Sequence, residues 1–463
     1  MRQVRFLVEP IGWQIGLYLL LFSLAMLLLS RQSADAYQAA RPSRSAYASA
    51  LLLLAAGMLS VWAATASALL ISWTLLIASW GLFQWSLHQR PGALLRRIAV
   101  LGISLLFLAL AGASLPLDQQ STTLPLSSWP ESSTFWAVIA AAVMLGTVPF
   151  HGWRTWFGTA NRALAIMGIL VPWAGAASLL ARLELSTSGS SALLLLTTAL
   201  GVLGLLRGSI VAWDDSTSEG RVFEGLTQAQ AGFILLAASW AGASGTSLEI
   251  RVAWLALGAL FASNPTRVGS LHQWQRLIGF VAALALLGAP LTAAFAGRAA
   301  LYDALLDSGG LVLLMVLFLL TAPFGAAALW RAWHSPAALN RAAERDDRQQ
   351  HSERAAALIL LLVGMVSAPT TVNPLAAGAI LVGIVAALLL TGFSRQLQST
   401  EDVLRRAFRI EVRLASATRH WKQIVRAAGS ALREAETILE TEGGLAWFVV
   451  LLIIVLLATQ IAL

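Results

Sequence analysis

Four side chains are candidates for handling a proton away from water: His151, Arg207, Glu224 and Arg298. Histidine titrates near neutrality without help, so His151 can take up and release a proton, or serve only as a capping or packing residue. Glu224 is a carboxylate near the start of an apolar run. Arginine differs, because its guanidinium stays protonated. Arg207 and Arg298 can therefore anchor a charge or a carboxylate, but they are poor relays. Three prolines, Pro149, Pro172 and Pro290, interrupt apolar stretches. Broken helices of this kind line cavities or ion sites in membranes, and proline kinks also occur as plain packing features.

Other chemistries find no support. There is no His-x-x-x-His pair, no phosphate-binding glycine loop and no Gly-x-Ser-x-Gly turn. His88, His272, His334, His351 and His420 are scattered in loops, and Asp346-Asp347 beside Arg345 and Arg348 reads as a solvated charge run. The chain has no cysteine, which excludes disulfides, iron–sulfur ligation and thiol catalysis. No catalytic residue, metal site or cofactor is expected in this chain, and any redox centre belongs to a partner.

The elements that position the four candidates follow from composition. Of 463 residues, 58% are hydrophobic and only 12% charged, which places the chain among polytopic membrane proteins. The apolar runs do not alternate apolar and polar residues as barrel strands do, so the class is all-α. The net charge of +8 is carried almost entirely by arginine, lysine occurring once as Lys422. These charges lie between apolar runs, where topology determinants sit, and not in the basic stripe of a nucleic-acid reader.

At the ~20 residues a bilayer demands, about fourteen spans are expected. They lie near 12–30, 46–62, 66–86, 97–115, 134–150, 163–181, 191–212, 228–244, 251–263, 277–297, 309–330, 355–369, 372–393 and 444–463. The first resembles a signal peptide, but its length suits a retained helix. One set of loops is basic: Arg31 to Arg44, Arg90 to Arg97, Arg154 and Arg162, Arg207 and Arg221, Arg267 and Arg276, Arg331 to Arg348, then 395–433. The other set is neutral or acidic, with Asp118, Glu131, Glu184, Glu249, Asp303 and Asp307. The positive-inside rule makes the basic set cytoplasmic and puts both termini outside. No acidic residue falls near the centre of these spans. Trp62, Trp80, Trp85, Trp129, Trp213 and Trp330 fall near span ends, as interfacial anchors do.

Residues 1–395 thus read as a transmembrane bundle. Residues 396–442 differ: apolar side chains recur every four or seven residues among many charges, which predicts an amphipathic helix on the cytoplasmic side. It either lies on lipid headgroups or braces a neighbouring subunit. Residues 443–463 form a last membrane anchor.

Three stretches carry a family resemblance. Met144 to Trp153 reads Met-Leu-Gly-Thr-Val-Pro-Phe-His-Gly-Trp. It resembles the Lys-Ser-Ala-x-x-Pro-x-His-x-Trp signature of the proton-conducting membrane subunits of complex I, Mrp-type antiporters and membrane-bound hydrogenases. Arg221 through Phe233 is similar to a second motif of that family, matching at Arg221, Thr227, Gln230, Gly232 and Phe233. Gly288 through Arg298 is similar to a third, Gly-x-Pro-x-Thr-Ala-Gly-Phe-x-Gly-Lys. The resemblance covers roughly residues 60–300, and fourteen spans with both ends outside would match the family's topology.

The resemblance also exposes losses. Met144 stands where the family has its intramembrane lysine, Thr74 where it has a glutamate after tryptophan, Gly220 where it has a lysine, and Arg298 replaces another lysine. The family's second histidine is absent. The resemblance therefore implies a membrane subunit of a multi-subunit energy-converting complex in a bacterial or archaeal cytoplasmic membrane, with other membrane subunits and lipids as partners. Complex I-like, hydrogenase-like, Mrp-type and inorganic-carbon uptake systems all remain open. So does a non-conducting scaffold that kept the fold and lost the route.

Overall fold

The computed structural model describes residues 6, 9–32, 43–87, 91–115, 126–148, 150–154, 162–183, 185, 191–214, 219–262, 271–333, 359, 361–362, 364–365 and 373–407. Its regular elements are helical: α1 (Pro10–Gln32), α2 (Arg44–Trp62), α3 (Ala66–Ser86), α4 (Pro91–Ala113), α5 (Glu131–Leu145), α6 (Arg162–Leu170), α7 (Trp173–Arg182), α8 (Ser191–Asp214), α9 (Glu219–Trp240), α10 (Gly242–Ala262), α11 (Leu271–Leu287), α12 (Ala293–Asp307), α13 (Leu311–Trp333) and α14 (Pro374–Ala407). Two 3-10 turns, Leu126–Ser128 and His151–Arg154, join them. The chain divides into two compact units, Met1–Thr391 and Gly392–Leu463. Among the described residues of the second, 392–407 belong to α14. The rest of the expected amphipathic helix and the last anchor lie outside the described residues, as does most of the expected span 355–369.

Among the described residues nine helical segments are long and apolar enough to cross a membrane. Glu131–Leu145 and Leu277–Leu287 are shorter apolar helices. The expected spans 46–62 and 66–86 are α2 and α3, with a turn at Ala63–Thr65 and Thr65 capping α3 by accepting from the Ala68 amide. Three spans differ from expectation. The expected span 277–297 is broken after Leu287, and α12 runs on to Asp307, so that Asp303 and Asp307 lie in a helix and not in a loop. The expected pair 228–244 and 251–263 is α9 and α10, with the turn at Gly242, whose φ of 67° suits glycine. By its charge Glu249 is expected in a loop, with the next span starting at Arg251. Both residues lie instead within the continuous helix α10, so an acidic residue does sit well inside a membrane span.

The interior is built around α9. Every residue from Val222 to Ser239 is buried, polar ones included. Helix α8 packs on it at backbone distance. A Cβ on Gly225 would lie 2.6 Å from the Gly208 carbonyl oxygen, and one on Gly232 would lie 2.5 Å from that of Gly201. Small residues at such an interface let two backbones approach where lipid offers no hydrophobic drive.

Three helix breaks are closed by side chains from elsewhere. Pro172 separates α6 from α7 and has no amide hydrogen, which frees the Gly168 carbonyl four residues earlier. The Trp80 indole donates to that carbonyl at 2.7 Å, and Trp254 donates to Leu170 at 2.8 Å. Trp80 is 1% exposed and Trp129 7%, so neither is the interfacial anchor its position suggested. The burial of Trp80 follows from the need to satisfy a freed backbone group within the bundle. Helix α5 ends at Gly146 (φ 63°), whose amide donates to Val143 while the Thr147 amide donates to Ala142. The Val143 carbonyl also accepts from the Trp153 indole at 3.1 Å. The third break lies between α11 and α12.

Candidate functional site along α9

The break between α11 and α12 is local in origin. Gly288 adopts φ 80°, its amide donating to Ala285 and that of Ala289 to Leu284. Pro290 and Leu291 follow, Leu291 in the left-handed region (φ 70°) that side chains avoid. Thr292 then caps α12 by accepting from the Phe295 amide at 3.3 Å. A helix ended this way leaves carbonyls facing inward. The Arg298 guanidinium, fully buried, donates to one of them, Leu286.

Arg298 also faces Glu249 of α10, Nε to Oε1 at 3.7 Å, with both side chains essentially inaccessible. The Phe233 ring lies 4.2 Å from the guanidinium carbon and Phe324 5.7 Å, which adds cation–π attraction. Gln230 of α9 donates its amide to Glu249 Oε2 at 2.7 Å. Tyr302, also buried, stands within electrostatic reach of Arg298. The cluster is charge-balanced but not saturated. Glu249 Oε1, Arg298 Nε and Nη1, and Gln230 Oε1 are buried without a hydrogen-bond partner. Orphans of this kind cost about 1–3 kcal/mol each.

A second cluster lies toward the start of α9. Arg207 of α8 hydrogen-bonds Gln228 and stands 3.8 Å from Glu224 Oε1, while Arg221 approaches Glu224 Oε2 at 3.8 Å. The structure thus brings Arg207 and Glu224 together. At the first turn of α9, beside Gly220, Glu219 bridges Arg331 of α13 and Arg162 of α6.

The remaining candidates lie apart from these contacts. His151 is buried at the start of its 3-10 turn, and Trp153 beside it stacks edge-on to Trp80 at 5.9 Å. Met144 is fully buried near the end of α5. Thr74 is exposed on α3, its hydroxyl bonded to the Leu70 carbonyl at 2.7 Å, so it does not line the interior. Pro149 lies outside the described residues. Among the described residues no group of three or more acidic or histidine side chains could hold a metal. Sequence reasoning missed Glu249, Gln230 in its role as donor, and the Glu219 bridge. The signal that would have found Glu249 is the stretch from Gly242 to Ala262, which holds no proline and only two charges, Glu249 and Arg251.

No family model and no curated relative matches the chain. Solved structures do. A chain of the Mrp complex from Dietzia sp. DQ12-45-1b superposes with TM-score 0.63 at 15% identity, over 98% of this chain and 55% of that one. A chain of respiratory complex I from Thermus thermophilus with bound NADH superposes with TM-score 0.64 at 14% identity, over 82% of this chain and 86% of that one. The chain has the antiporter-like membrane-subunit fold. It spans about half the length of the Mrp chain. Both structures are of multi-subunit membrane complexes.

Proposed function

We propose that this antiporter-like chain is the membrane subunit of a multi-subunit, ion-translocating complex, and that Glu249 is its titrating group, with Arg298 the fixed counter-charge. The observation that carries this reading is the unsaturated Glu249–Arg298–Gln230 cluster at a broken helix. Charges inside a membrane cost about 2.5–3.5 kcal/mol each on insertion scales and persist where they serve function. A guanidinium cannot pass a proton on, whereas a hydrated carboxylate can. The lysines and glutamate missing at Met144, Gly220 and Thr74 are thus partly replaced by one carboxylate from a different helix. Other membrane subunits and lipids are the partners, with residues 396–442 lying against a neighbouring subunit. The membrane is a bacterial or archaeal cytoplasmic membrane, and both termini face outward as the arginine-rich loops suggest.

A scaffold role is the second reading. It is favoured by Met144, buried and apolar where a titrating lysine would stand, and by Thr74, turned away from the interior. Proton flux separates the two. The assembled complex in proteoliposomes carrying an internal pH dye should lose at least about ten-fold in flux on Glu249→Gln, a rise of roughly 1.4 kcal/mol or more in the barrier. Arg298→Lys should retain most of it, and His151→Ala should report whether that residue shares the route. Unchanged flux in Glu249→Gln and Arg298→Ala, with the complex intact, would leave the scaffold reading standing.

A further inference from the structure

We infer that the junction of α6, α9 and α13 is a binding site for a phosphate oxyanion. Two arginines share a single carboxylate there. Arg331 Nη2 lies 2.5 Å from Glu219 Oε1, and Arg162 Nη2 lies 2.6 Å from Glu219 Oε2. Among the described residues one positive charge is left over. Arg331 is 2% exposed, and its Nε and Nη1 have no hydrogen-bond partner; Arg162 Nη1 has none either. The Phe261 ring, 5.3 Å from the Arg331 guanidinium carbon, supplies attraction but no acceptor. Arg162 is also the first residue of α6, so the positive end of that helix dipole adds to the excess.

Water can accept from the orphaned N–H groups, but it brings no charge to balance the second arginine. An oxyanion does both. Guanidinium forks match phosphate oxygens in geometry and are more weakly hydrated than an ammonium group, which suits a half-buried site. The way in is on the side of Arg162, whose side chain is 35% exposed while that of Glu219 is only 12% exposed. The three helix ends belong to loops of the same basic set, Arg154–Arg162, Arg207–Arg221 and Arg331–Arg348, so the site lies at one membrane face. Either the headgroup of an anionic phospholipid or free phosphate presents the required chemistry.

The full chain in zwitterionic phosphatidylcholine nanodiscs tests this. One arm adds inorganic phosphate and follows the thermal unfolding midpoint. The other replaces part of the lipid with phosphatidylglycerol and counts retained lipid by native mass spectrometry. A saturable response in the lipid arm identifies a headgroup, and one in the phosphate arm identifies the free anion. Arg162→Gln, partly exposed and tolerable to the fold, should weaken the response at least ten-fold. Glu219→Gln removes the competing carboxylate and should strengthen it by a similar factor, a change of opposite sign that general destabilisation would not produce. If neither arm responds, or if wild type and both variants respond alike, the proposal is overturned.

Discussion

Replacing either member of the buried ion pair tests how the interior is held. Glu249 and Arg298 stand 3.7 Å apart with no measurable exposure of either carboxylate or guanidinium to solvent beyond 1%. Two unit charges at that distance attract by about 4.5 kcal/mol at an effective dielectric of about 20. Removing one partner leaves the other buried and uncompensated, at a cost of about 3–5 kcal/mol. Glu249→Gln and Arg298→Gln should each destabilise the chain by that amount. The double substitution leaves two neutral amides, so its cost should fall short of the sum by about 3–4 kcal/mol, most of the Coulomb attraction. Arg298→Gln should be the worse single change, since it also forfeits the donor to the Leu286 carbonyl and the stacking on Phe233. The assay is reversible unfolding of the full chain in mixed micelles, titrated with a denaturing detergent and followed by tryptophan fluorescence. If the two single effects add within about 0.5 kcal/mol, the charges are not coupled and the pair is not what braces the α11–α12 break.

Three further outcomes follow from packing. Gly225→Ala places a methyl against the Gly208 carbonyl and should cost about 1–3 kcal/mol through forced separation of α8 and α9, measured in the same unfolding assay. Trp80→Phe strands the Gly168 carbonyl and should cost about 1–3 kcal/mol, but markedly less in a Pro172→Ala background, where an amide hydrogen becomes available to that carbonyl; equal costs in both backgrounds would refute the capping role. Gly288→Ala should cost about 1 kcal/mol or more, because φ 80° is unfavourable with a side chain and the new Cβ would meet Arg298 Cδ at 3.3 Å, and hydrogen exchange should show the loss concentrated at the α11–α12 break.

Much of the bundle was legible from residue order alone. Membrane spans announce themselves because a bilayer requires long apolar runs, and the breaks at Pro172 and Pro290 announce themselves because proline lacks the amide a helix needs. Arg298 was recognisable as a fixed cation from its chemistry, and Arg207 with Glu224 as charges near a span end. What the sequence could not reveal is what each charge faces. Glu249 reads as a loop residue next to Arg251, since a charge within an apolar run is expensive unless compensated, and its compensation lies 49 positions away in Arg298. Trp80 reads as an interfacial anchor until Gly168 is placed beside it. Glu219 carries no signal in the sequence; its role comes from Arg162 and Arg331, which close on it from two other helices. Hydrophobicity is local and additive, so one dimension suffices to find the spans. Charge compensation and capping are pairwise, and only the folded arrangement of α6, α9, α10, α12 and α13 decides which pairs exist.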